Sequence, residues 1–225
     1  MKALLDILFP KCCLVCDQAL NSQEQLVCLT CQFSLPQTDY HLERENPLML
    51  RLMGRMQLEY SLAFLHFVKD GSAQKLMHHL KYKGREEVGE WLGNWYGNLL
   101  KRKNFHQEFD YVLPIPLHEK KRKKRGYNQV DKFAEQLSIH LRSDFKPNGL
   151  TRLTANSTQT KKERFTRWES VKDIFEVNLL EEEIQNKHVL VVDDVITTGA
   201  TLEACVVQLY EKGAGKVSIL TMAEA

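Results

Sequence analysis

Two stretches of this sequence hold residues whose types and spacing could do chemistry. The first, residues 188 to 201, reads His-Val-Leu-Val-Val-Asp-Asp-Val-Ile-Thr-Thr-Gly-Ala-Thr. An apolar run ends in two adjacent carboxylates, Asp193 and Asp194. Thr197, Thr198, Gly199, Ala200 and Thr201 then open an apolar pattern of helical period. Neighbouring carboxylates hold a divalent cation or accept hydrogen bonds from hydroxyls. A glycine turn with free amides at a helix start suits a phosphate. A sugar phosphate satisfies both halves. The second stretch is Cys13-x2-Cys16 and Cys28-x2-Cys31, two knuckles eleven residues apart. Each knuckle can turn two thiolates toward one ion, and two knuckles complete a closed tetrahedral site.

For the acidic pair two other readings compete. An apolar strand ending in Asp-Asp also opens response-regulator receivers, but that fold needs several more strands and only 31 residues follow Asp194. A plain polar turn is common in α/β proteins, yet rarely combines Asp-Asp with Thr-Thr-Gly-Ala-Thr. For the cysteines, a reducing compartment favours a structural zinc over redox thiols or a disulfide pair. Cys12 is left over, and Cys205 sits on the apolar face of a helix as a small core residue.

A third feature is a run of six cations, Lys120, Lys121, Arg122, Lys123, Lys124 and Arg125, followed by Gly126, Tyr127, Asn128 and Gln129. Three readings stay open: a pyrophosphate site, a track for a nucleic-acid backbone with Tyr127 as a stacking face, and a solvated surface loop.

Residues 1–45 read as a four-cysteine module and 46–225 as an α/β domain. In the latter, Leu48, Leu50, Leu52, Met53 and Met56 suggest a short helix, and residues 58–68 an extended segment. Residues 71–84 predict a helix stopped by Gly84. Val88, Trp91, Leu92, Trp95, Tyr96, Leu99 and Leu100 recur at helical spacing, which places the tryptophans in the core. Residues 109–116 predict a strand ended by prolines, and Val130, Phe133, Ala134, Leu137 and Leu141 a helix. Strand 188–192, helix 201–212 and strand 216–222 close the chain. Strand 188–192 lacks alternation, as a strand covered on both faces should. Strands alternating with helices predict a parallel sheet, with ligands beyond the carboxyl ends of its strands. His66, His78, His79 and His118 show no metal-binding spacing. The segment 151–172 is long, polar and rich in Thr, Lys and Arg, as functional loops are.

With 31 basic and 29 acidic residues the net charge is +2, so no global field points to nucleic acid or membrane. No apolar run approaches the ~20 residues of a membrane span. Asp6 interrupts the apolar start and no small-residue cleavage site follows, so the expectation is a cytoplasmic protein without membrane insertion.

Residues 189–201 resemble the loop of type I phosphoribosyltransferases that binds 5-phosphoribosyl 1-diphosphate (PRPP). Together with the paired cysteine knuckles, residues 80–84 (Leu-Lys-Tyr-Lys-Gly), 114–129 and 158–175 are similar in order to the ComF family of ComFC-like competence proteins. The resemblance implies a type I phosphoribosyltransferase-like parallel sheet with a zinc-ribbon-like module at its N-terminal end. Asp193 and Asp194 would hold the ribose 2′- and 3′-hydroxyls, and Thr197 to Thr201 the 5′-phosphate. Lys120 to Arg125 would lie near the pyrophosphate, which Mg²⁺ helps neutralise. Gln159, Arg164 and Arg167 would contact PRPP from a closing hood. It also implies a link to DNA uptake, with single-stranded DNA and competence proteins as partners. Purine-salvage relatives carry Asp at the position of Thr197, which speaks against 6-oxopurine salvage here.

Overall fold

A computed structural model describes residues 10–153 and 174–225. The described residues begin with α1 (Leu29–Phe33) and α2 (Pro47–Leu52), then β1 (Ser61–His66), α3 (Ser72–Tyr82) and α4 (Glu87–Arg102). β2 (Tyr111–Pro114), α5 (Glu119–Arg125), α6 (Asp131–Leu141), β3 (Asp144–Phe145), β4 (Leu150–Arg152) and β5 (Phe175–Val177) follow. The chain closes with α7 (Glu181–Ile184), β6 (His188–Ile196), α8 (Ala200–Glu211) and β7 (Lys216–Glu224). β1-β7-β6-β2-β3 form a parallel sheet, while β4 and β5 pair as a small antiparallel hairpin.

β6 lies at the centre of the sheet, between β7 and β2. Its pleat sends Leu190 and Val192 into one apolar layer and Val189 and Val191 into the other. Both faces are therefore dry, which explains the absence of alternation. One layer is closed by α3, α4 and α6, the other by α2, α8 and the β4–β5 hairpin.

The four-cysteine segment shares the first of these layers. Cys13, Leu14, Val27, Cys28 and Leu35 belong to one cluster with Phe64, Leu76 and Leu80. Lys75 Nζ donates to the Val15 carbonyl at 2.7 Å, and Thr38 N to the Phe64 carbonyl at 3.1 Å. The segment thus covers β1, which would otherwise be an exposed edge.

α4 and α6 approach closely because α4 turns Gly89, Gly93 and Gly97 toward α6. A Cβ on Gly93 would lie 2.7 Å from the Phe133 carbonyl oxygen and 3.2 Å from its Cα, inside contact distance of backbone that cannot step aside. Gly93→Ala is expected to cost about 2 kcal/mol by overpacking and to lower Tm by roughly 5 °C, read from a thermal melt.

Three expectations are corrected. Residues 120–125 form a helix rather than a loop: the His118 Nδ1 accepts from Lys120 N at 3.2 Å at one end, and Gly126 adopts φ +86° at the other. Strand 188–192 runs on to Ile196, because its pairing with β7 continues through Asp193↔Thr221 and Ile196↔Glu224. Trp91 and Trp95 are only half-buried, packed edge-on to each other at 5.3 Å. The segment 151–172 begins as strand β4, and its residues 154–172 lie outside the described residues. Among the described residues no helix is long and apolar enough to cross a membrane.

Candidate active site

β6 carries Asp193 and Asp194 near its carboxyl end, where both are half-buried, and the same pleat turns them to opposite faces. Asp193 Oδ1 accepts from the Asp194 amide at 2.8 Å, and Asp194 Oδ1 from the Val195 amide at 2.6 Å. Asp194 Oδ2 faces Lys81 Nζ at 2.8 Å and Gln129 Nε2 at 2.9 Å. Gln129 is oriented in turn by Arg125 Nη1. Burial and, second, the charge on Asp194 push the Asp193 carboxyl up to about 7; the Asp194 amide, Lys81 and Arg152 oppose that rise.

The two carboxylates open onto a cleft of about 240 Å³ whose walls include Lys81, Lys121, Arg125, Arg152 and Thr201. Four cations thus face two acids across a small space. That arrangement suits a ligand carrying both negative groups and hydroxyls.

After β6 the chain turns through Thr197 and Thr198, both exposed, into Gly199, which caps α8 with φ +80°. The Gly199 cap offers no side-chain acceptor, and the Ala200 amide donates only weakly, to Thr198 Oγ1 at 3.5 Å, so the first-turn amides can turn to a ligand. A Cβ on Gly199 would crowd Leu52 Cδ2 at 3.2 Å as well as straining the left-handed backbone. Arg55 Nη1 donates to the Thr198 carbonyl at 2.7 Å and pairs with Glu203, holding the turn against α8.

The basic run divides by helical period. Lys121 and Arg125 line the cleft, while Lys124 lines an adjoining cavity of about 310 Å³ with Tyr82 and Tyr127. Arg122 lines a third cavity. Lys120 is exposed, and Lys123 pairs with Glu119 at 2.6 Å on the outside of α5. Gln159, Arg164 and Arg167 lie outside the described residues. Lys81, Gln129 and Arg152 are site residues that spacing alone did not pick out. Lys81 and Gln129 lie in the motifs 80–84 and 114–129, and that was the only available signal.

The four knuckle cysteines converge, their sulfurs all within 4.8 Å of one another. Cys13 Sγ accepts from the amides of Val15 at 3.4 Å and Cys28 at 3.3 Å. Burial raises the Cys13 thiol, but the amides of Cys28, Cys16 and Val15 outweigh it and bring the group down to about 7. A thiolate held by amides within a set of four sulfurs is what a tetrahedral soft-metal ion needs, so the residues fit a metal. Cys12 is exposed and outside the set, and Cys205 is buried in α8, as expected.

Comparison with known proteins agrees with this arrangement. Residues 123–225 match the phosphoribosyl transferase domain family. The chain is 28% identical over 219 residues to the DNA utilization protein YhgH of Escherichia coli O157:H7, covering 92% of this chain and 87% of that one. Competence protein F of Haemophilus influenzae is 32% identical over 114 residues, 51% of this chain and 50% of that protein. Competence protein ComFC of Bacillus subtilis is 36% identical over 112 residues, 49% of this chain and 43% of that protein. The chain thus joins a match to the phosphoribosyl transferase domain over residues 123–225 to a cluster of four cysteines, and it is similar to proteins named for DNA utilization and competence.

Proposed function

We propose that the cleft beyond β6 binds PRPP and that the protein transfers its phosphoribosyl group to an acceptor. The observation that carries this reading is the sequence of groups along one turn: Asp193 and Asp194, then a helix start whose cap is glycine and whose first amide meets only the Thr198 Oγ1, at a long 3.5 Å. Asp193 and Asp194 hold the ribose hydroxyls, and Thr197 to Thr201 hold the 5′-phosphate. Lys81, Lys121 and Arg125 face the pyrophosphate. Leaving-group departure from the anomeric carbon builds positive charge on the ribose, and carboxylates beneath the ring stabilise it. Mg²⁺, bound with PRPP, supplies further neutralisation of the leaving group. Gln159, Arg164 and Arg167 are further contacts to PRPP in this reading. Zinc at Cys13, Cys16, Cys28 and Cys31 holds the segment before residue 46 in place and does no chemistry, since four protein ligands leave no open position. The protein acts in the cytoplasm. Turnover is tested by pyrophosphate release from PRPP with candidate acceptors. It should vanish in Asp193→Ala; release unchanged in that variant would end the transferase reading.

A second reading has its own support. None of the residues of α5 is buried, and four of its cations occupy the last turn. That exceeds what one pyrophosphate requires. Beside it lies the cavity that Lys124 shares with Tyr82 and Tyr127. In this reading the surface tracks single-stranded DNA, consistent with relatives named for competence and DNA utilization. Lys120→Glu/Lys124→Glu is expected to weaken single-stranded DNA binding at least tenfold and to flatten the plot of log affinity against log salt by about 1 to 2 units. An unchanged slope would return α5 to a solvated surface.

A further inference from the structure

The turn from Asn128 to Asp131 faces two cavities at once. Gln129 reaches the acidic pair, whereas Asn128 and Asp131 line a separate cavity of about 470 Å³. This cavity shares Pro116, Leu117 and Arg152 with the acidic cleft, so the two are neighbours across one wall.

Asn128 is 7% exposed, and its Nδ2 donates to the Ile115 carbonyl at 3.1 Å and to Asp131 Oδ1 at 2.7 Å. Those two acceptors fix the amide's orientation, since reversing it would set oxygen against oxygen. Its Oδ1 has no hydrogen-bond partner among the described residues. Beside it, burial pushes the Asp131 carboxyl up to about 6 despite the Asn128 hydrogen bond and the nearby Arg122 charge. Arg122 and Arg152 also line the cavity, and neither makes an ion pair with a described residue. Glu119, at the same wall, is neutralised by Lys123 at 2.6 Å. Pro116, Leu117, Leu150 and Leu153 supply apolar surface between these polar groups.

We propose that this cavity is the acceptor subsite and takes a planar ring bearing an N–H donor and an anionic substituent. The N–H meets the Asp131 carboxylate, which Asn128 Nδ2 orients, the anion meets the two guanidiniums, and the ring lies against the prolines and leucines. The assignment of the ligand as acceptor rests on the phosphoribosyl-transfer reading above.

The probe is 2-aminobenzoate, which has all three features; benzoate lacks the N–H and aniline lacks the anion. Each is titrated calorimetrically into the full, metal-loaded chain, with and without PRPP. The expected result is that 2-aminobenzoate binds at least about tenfold more tightly than either analogue. Arg122→Gln and Asp131→Asn should each weaken it about tenfold while circular dichroism and Tm report a folded chain. Equal affinities for the three probes, no binding of 2-aminobenzoate in either condition, or variants that bind like the parent would overturn the inference. Titrating PRPP alone separates the two layers. If 2-aminobenzoate binds and PRPP does not, the ligand class stands and its role as acceptor falls.

Discussion

The double variant Asp193→Asn/Asp194→Asn is expected to lose PRPP binding by at least a hundredfold while becoming more heat-stable above neutral pH. The loss follows from replacing two charged acceptors for the ribose hydroxyls with amides that each keep one weaker, neutral acceptor, and from removing both negative charges near a bound cation. The gain in stability follows from the pair's electrostatics. Burial and the Asp194 charge raise the Asp193 carboxyl from 3.8 to about 7 in the fold. A raised folded value means that the native state holds the proton more tightly than the unfolded chain does. The favourable contribution is then complete below the unfolded value near 4 and is lost as pH rises through about 7. At pH 8 the native protein therefore carries an ionised carboxyl that its surroundings disfavour, and Asn removes that cost. An increase in Tm of roughly 2 to 4 °C per kcal/mol relieved should be visible at pH 8 and should shrink toward pH 5. A melt series across that range, with PRPP calorimetry on the same samples, checks both halves. Destabilisation at every pH would mean that the pair is held in place by favourable contacts and is not tuned for a ligand.

The second large effect concerns the cysteine cluster. Cys13→Ser is expected to abolish stoichiometric metal and lower Tm by about 10 °C or more, since structural zinc contributes folding free energy outright. The effect should not stay local. Cys13 is fully buried in the same cluster as Phe64, Leu76 and Leu80, so loosening the knuckles uncovers β1 and α3 as well. Metal content by atomic absorption and a thermal melt with and without chelator measure it. Cys12→Ser is the control, because Cys12 is exposed and outside the cluster, and it should change neither reading. A parent chain that melts at the same temperature with and without chelator would remove the structural metal from this account.

Which features were legible in the chain follows from where their information resides. The β6–turn–α8 unit could be read because its signals are local and agree: an apolar run, two acids, a glycine in a left-handed turn, then a helical period. The parallel sheet followed from the same consistency repeated in β1, β2 and β7. The basic run misled because charge density looks like a loop, although Lys and Arg are good helix formers and His118 and Gly126 supply a cap at each end. The extension of β6 through Asp193 and Asp194 could not be read locally, because its cause is the ladder with Thr221 and its neighbours on another strand. The hairpin of β4 and β5 has strands of three residues each, too short for a period to register. Lys81, Gln129 and Arg152 reach the site from three separate elements. Only the fold brings Lys81 within 2.8 Å of Asp194.

The most direct test of the central claim is a calorimetric titration of PRPP into the metal-loaded protein, with and without Mg²⁺. The account predicts one site per chain in the micromolar range that depends on Mg²⁺ and is absent from Asp193→Asn/Asp194→Asn. No heat from a folded, metal-loaded chain, or equal binding by the double variant, would contradict the assignment of the cleft beyond β6.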